Sequence, residues 1–189
     1  DTAAAIELDR LAFDWRPGAL LSGRLHLTVL ELDGIRITPG EAPPAEPAAV
    51  AEPMGLPAIA LPVEVLIDRI QIRDARILRD GLPPLESAVV RARAGGRAVG
   101  IDELSLQLPA LRLRLAGGIS LAAGASSDLR LDWTWEAPQG QPLHGTGRVT
   151  GPVDTLQVEH RITGAAEATL TASLVGLPAA PRWDATLEI

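Results

Sequence analysis

The sequence contains no cysteine, no tyrosine and no lysine, and it has a single phenylalanine. Without cysteine the chain can form no disulfide, no thiolate metal site and no cysteine nucleophile. Aromatic residues amount to 3%, so the rings that enzymes and nucleic-acid binders use for stacking are scarce. The formal charge is −7 and the arginines form no concentrated patch, which argues against binding to a phosphate backbone.

Long hydrophobic runs are absent as well. No stretch reaches the eighteen or so apolar residues that a transmembrane helix needs. The chain opens at Asp1 without a methionine, a charged leader or a cleavage site, and it stops within the alternating stretch from Trp183 to Ile189. We therefore expect one continuous segment, residues 1–189, excised from a larger protein.

What the sequence does have is alternation of apolar and polar residues, which recurs along the chain on both sides of residues 38–62. Successive residues of a strand point to opposite faces, so a sheet with one apolar face must alternate in this way. The clearest example is Leu111 to Leu115, where leucine and arginine alternate. The period shifts at Asp33-Gly34, which predicts a turn or bulge, and again at Asp68-Arg69.

From Thr38 to Pro62 the alternation fails. Seven prolines and three glutamates occupy this stretch among many alanines, a composition that removes backbone donors and buries little surface. The sequence predicts a flexible loop over residues 38–62.

Glycine and proline, at 18 and 16 residues, interrupt nearly every window in which a helix could form. Turn signals recur every ten to twelve residues or so, as in all-β chains. About twelve strands at about 4.8 Å each would make a sheet roughly 58 Å long, too long for one compact ball. We expect an all-β fold: an elongated, antiparallel-type sheet with one continuous apolar face.

The polar residues do not suggest catalysis. The three histidines are far apart and lack metal-ligand spacing, and the serines show no triad order. We place His160, beside Glu159, on a solvated polar face, and we interpret Gly145-Thr146-Gly147 as turn residues. The sequence thus predicts no catalytic residue, no metal site, no cofactor and no enzyme activity.

Several stretches carry a family resemblance. Two stretches each consist of a predicted short strand, a polar corner and a second short strand: LLSGRLHLTVLELDGIRI (20–37) and LPVEVLIDRIQIRDARI (61–77). LRLRLAGGISLAAGASSDLRLDWTW (111–135) and GTGRVTGPVDTLQV (145–158) add glycine-punctuated strand pairs. Together they resemble the periplasmic repeats of the TamB/AsmA-like family, which includes a subunit of the translocation and assembly module. Each motif is weak alone, and the resemblance depends on their accumulation in order.

The resemblance implies a long curved sheet, or β-taco, with an apolar concave face. This open hydrophobic groove would bridge the inner and outer membranes of diderm bacteria. It implies phospholipid transport and outer membrane biogenesis as functions, the periplasm as location, and phospholipid acyl chains as partners. The family's inner-membrane anchor and its C-terminal domain, which meets an Omp85-type outer-membrane partner, are missing here. The chain would be the segment that follows the anchor.

The groove lining is predicted from the phase of the alternation. A slip of one residue would send every side chain to the other face, so the list depends on that phase. The predicted lining residues are Leu25, Leu27, Val29, Val63, Val65, Ile67, Ile70, Ile72, Leu104, Leu106, Leu108, Leu111, Leu113, Leu115, Leu129, Leu131, Trp133, Leu156 and Val158.

Other folds and functions fit the same leucines. They could form the core of a closed β-sandwich or of a small lipocalin-type barrel. A structural or adhesive β-solenoid would bind protein through its outer charges, and a chaperone-like factor would assist the assembly of outer-membrane proteins.

Overall fold

The computed structural model describes residues 5–39, 61–78, 82–120, 126–137, 140–152, 154–176 and 182–189. Strands make up 82% of the described residues and helix 4%, so the predicted all-β class is confirmed. Most of the predicted loop, residues 40–60, lies outside the described part of the chain.

Eleven strands and one short 3₁₀ helix (Pro17–Ser22) form the described fold. The number is one fewer than the roughly twelve expected. The stretches 20–37 and 61–77, each predicted as two short strands, each contain one long strand. The strands are β1 (Ala5–Trp15), β2 (Arg24–Thr38), β3 (Leu61–Ile77), β4 (Leu85–Gly96), β5 (Ala98–Leu108), β6 (Leu111–Ser120), β7 (Ser126–Trp135), β8 (Leu143–Pro152), β9 (Thr155–Gly164), β10 (Ala168–Val175) and β11 (Arg182–Glu188).

The strands form a single open sheet in which each strand pairs with the next one in the sequence. Nine of the ten pairs are antiparallel. The exception is β2 with β3, which run parallel. Parallel neighbours need a long connecting segment, and 22 residues separate the end of β2 at Thr38 from the start of β3 at Leu61. The antiparallel pattern expected from the sequence is therefore wrong at this one pair.

The long strands β2 and β3 share their irregularities. Leu27 pairs with Ile67 and Leu30 with Ile70, so both strands carry two residues between these apolar positions. The register of β3 with β4 shifts between Ile67 and Ile70, which confirms the predicted change of phase at Asp68-Arg69. Such bulges let a strand keep its apolar residues on one face while its direction changes.

The sheet has no second layer in the described part of the chain. Ala88, exposed by 4%, is the one buried apolar residue among the described ones. The extensive contacts between elements join consecutive strands, apart from the 3₁₀ helix against β2. Ten gaps of about 4.8 Å give the sheet a length of roughly 48 Å. The sheet is elongated, curved and open, so the closed sandwich and the closed barrel are wrong for the described residues.

Candidate functional site: the apolar face

Rows of apolar side chains cross the sheet from edge to edge. Residues directly opposite each other on neighbouring strands project from the same face, so the strand pairing defines each row. We call the face that carries these rows the apolar face. Its first row joins Trp15, Leu27, Ile67, Ala92, Ile101, Gly117, Leu129, Val149, Val158, Ala172 and Ala185.

Two further rows run beside the first. The second joins Phe13, Leu30, Ile70, Val90, Leu104, Leu115, Leu131, Gly147, His160, Leu170 and Leu187. The third joins Leu11, Leu32, Ile72, Ala88, Leu106, Leu113, Trp133, Gly145, Ile162 and Ala168. Among these 32 positions, His160 is the one side chain that can carry a charge.

The apolar face is open to solvent in the described part of the chain. Its side chains shield one another only sideways, and those at the two edges remain most exposed: Phe13 by 58%, Leu187 by 57% and Trp183 by 77%. A monomeric protein rarely exposes a continuous apolar patch larger than a few hundred Å². A face that spans eleven strands, with no covering layer among the described residues, is therefore a candidate surface for binding apolar material.

Most of the predicted lining residues lie in these rows or directly beside them. Shorter rows next to the main three hold the remaining positions near the strand ends: Leu25 opposite Val65, Leu108 opposite Leu111, and Leu156 opposite Leu174. Val63 lies near the start of β3, where the register with β4 shifts. Val63 is 36% exposed.

Val29 is the one predicted lining residue that the pairing places on the other face. It is opposite Asp14, which alternates along β1 with Phe13 and Trp15 of the apolar face. The cause is a bulge at Thr28, which adds one residue to β2. Because of this extra residue, the next side chain, Val29, projects from the polar face.

The other face is polar and is held by ion pairs between neighbouring strands. Arg24 lies 2.7 Å from Glu64, and Arg148 binds Asp128 through two hydrogen bonds of 3.0 Å each. Exposed pairs of this kind contribute little stability individually. These ion pairs instead favour one strand register. The register that forms them also places their charged side chains on the face opposite the apolar rows.

Three charged groups of the described residues have shifted pKa values. The hydrogen bond from Arg148 lowers the pKa of Asp128 below its ordinary value of 3.8, and the same bond raises the pKa of Arg148. The hydrogen bond to Asp9 likewise raises the pKa of Arg36. All three therefore stay charged over the physiological range.

One hollow of the described residues opens on the polar face, not on the apolar one. It has a volume of about 700 Å³, and its floor includes Gly100 and Gly118 between the side chains of Glu64, Arg93 and Asp128. The hollow exists because Gly100 and Gly118 have no side chains, whereas Arg93 and Asp128 on the neighbouring strands have long ones. It offers no enclosed pocket for a hydrocarbon chain.

The middle of the apolar face contains a feature that the sequence interpretation missed. Gly145 and Gly147 lie inside β8, so their assignment to a turn is wrong. A Cβ at Gly145 would overlap the Trp133 indole, and one at Gly147 would lie 2.6 Å from His160 Nδ1. Trp133 from β7 and His160 from β9 thus lie flat over the glycines, and the placement of His160 on the polar face is also wrong.

Comparisons with known proteins identify no relative: no family model, no curated protein and no solved structure matches the chain. Within the described residues, no helix has the length and apolar character to cross a membrane. The same part of the chain holds no group of three or more histidine, aspartate or glutamate side chains placed to bind a metal ion.

Proposed function

We propose that the apolar face binds the acyl chains of phospholipids and lets them move along the sheet. The observation that carries this proposal is the set of three apolar rows, which cross ten or eleven consecutive strands and which no other part of the described chain covers. The function proposed is transport, without a chemical step and without a cofactor.

The free energy of binding suits the movement of an acyl chain along the protein better than its retention at one place. Burying one methylene gains about 0.8 kcal/mol, so a sixteen-carbon chain gains on the order of ten kcal/mol from a dry apolar surface. A bilayer offers a comparable gain, which makes transfer from membrane to protein nearly neutral in free energy. A lining of aliphatic side chains, nearly free of polar anchors, holds no position of the chain much more tightly than the next.

The resemblance to the TamB/AsmA-like family supports a setting for this activity. We propose that the chain is a periplasmic segment of such a protein, which carries phospholipid between the inner and outer membranes. Parts outside this sequence would supply the inner-membrane anchor and the contact with an Omp85-type partner.

Native mass spectrometry of the purified chain tests the proposal. Protein extracted gently from bacterial cells should carry additional masses that match phospholipids, and collisional activation should release them. Chain that emerges free of lipid, and that takes up none from added phospholipid, would contradict the proposal.

A further inference from the structure

Trp133 and His160 form the only polar contact among the three rows of the apolar face. The Trp133 Nε1–H donates a hydrogen bond of 3.1 Å to Nε2 of His160. The ring planes are inclined by only 15° and the ring centroids are 5.9 Å apart. Because an indole N–H lies in the plane of its ring, this bond sets the two rings edge to edge, flat against the backbone of β8.

The contact fixes the protonation of the imidazole. Indole nitrogen can only donate, so Nε2 of His160 must be the acceptor and the ring must be neutral. Protonation would place a hydrogen on Nε2, and two N–H groups would then face each other across 3.1 Å. An attraction between imidazolium and the indole face would require one ring above the other, which the edge-to-edge arrangement does not provide.

No other charge controls this histidine from the same face. The positions around it on β7, β8 and β10 are Leu131, Gly147 and Leu170, none of which titrates. The titratable groups of these strands and of β9 project from the polar face: Asp128, Arg130, Asp132, His144, Arg148, Glu159 and Arg161.

The two rings fill a gap that the sequence leaves in the face. On this side β8 presents Leu143, Gly145, Gly147, Val149 and Gly151, so three of five positions have no side chain. The strands on either side are about 9.6 Å apart, since each spacing is about 4.8 Å. With the rings displaced, the backbone of β8 becomes the floor of a trench lined by apolar side chains.

We infer that Trp133 and His160 form a proton-controlled barrier across the apolar face. With His160 neutral, the hydrogen bond holds Trp133 in the gap above Gly145. With His160 protonated, the bond is lost and Trp133 leaves the gap, which opens the trench to an acyl chain. This last consequence depends on the proposed function, whereas the movement of Trp133 does not.

The test follows Trp133 alone. In a variant with Trp15, Trp135 and Trp183 replaced by phenylalanine, tryptophan emission and its quenching by acrylamide are recorded between about pH 8 and pH 5, the range in which histidine titrates. We expect a transition of one proton, with a red shift and several-fold stronger quenching at the acidic end. Circular dichroism verifies that the sheet is retained.

Two substitutions assign the transition. His160→Gln keeps a hydrogen-bond acceptor but cannot titrate in this range, so the transition should disappear. His144→Gln, which alters a histidine of the polar face beside Thr134, should leave it unchanged. A transition that survives in His160→Gln, or emission that does not change with pH in the parent, would overturn the inference.

Phosphatidylcholine with brominated acyl chains separates the inference from the proposed function. If both hold, vesicles of this lipid should quench Trp133 several-fold more at acidic than at neutral pH. A proton transition without quenching by the brominated lipid at either pH would retain the barrier and contradict lipid binding. Equal quenching at both pH values, with no transition, would retain lipid binding and contradict the barrier.

Discussion

Gly117→Ala is expected to destabilise the protein by about 3 kcal/mol, because the backbone there excludes every other residue. Gly117 lies in β6 with φ of 139°, in a region that only glycine occupies readily. A Cβ at this position would also overlap the carbonyl oxygen of Asp128 on β7. Chemical denaturation should show a large fall in the midpoint.

The neighbouring glycine is the matched control for this substitution. Gly118 has no unusual φ, and a Cβ there would lie 3.4 Å from the Val99 oxygen, close to ordinary contact. Gly118→Ala should therefore change stability by less than about 1 kcal/mol. Equal effects at the two positions would mean that the pairing of β6 with β7 differs from the one described.

Leu104→Asp is expected to weaken the binding of acyl chains about 100-fold. Leu104 lies in the second apolar row between Val90 and Leu115, where a bound chain would cover it. Covering an unpaired carboxylate costs a few kcal/mol, and about 2.8 kcal/mol corresponds to a factor of 100. Titration of the protein with a fluorescent fatty acid measures the change.

Ser105→Asp places the same charge on the next residue, which projects from the other face. Ser105 is opposite Arg114, so the new carboxylate gains a favourable partner instead of a desolvation cost. Affinity for the fatty acid should remain close to that of the parent. A similar loss in both variants would indicate that acyl chains do not distinguish the two faces.

The alternation of the sequence was sufficient to predict the class and most of the apolar rows. From Leu104 to Leu115 the strands are regular and the turn is tight, so the apolar positions identified the face directly. The pattern carries no information on strand direction, since parallel and antiparallel neighbours alternate alike. The parallel pairing of β2 with β3 therefore could not be predicted from it.

The errors of the sequence interpretation have separate physical causes. At Thr28 one extra residue inverts the face of Val29, and nothing in the alternation distinguishes this bulge from a regular strand. At Gly145 and Gly147 the glycines resemble a turn, but they serve to admit the rings of Trp133 and His160. The signal that could have indicated this is a tryptophan in one predicted strand with glycines at matching positions of the next.

The most direct test of an apolar face that carries lipid is photocrosslinking in living cells from two adjacent positions of β6. Leu113 lies on the apolar face between Leu106 and Trp133, and Arg112 lies on the polar face beside Glu136. A photoreactive amino acid at position 113 should form adducts with phospholipid, and one at position 112 should form none. Adducts at position 112 with none at position 113 would contradict the account.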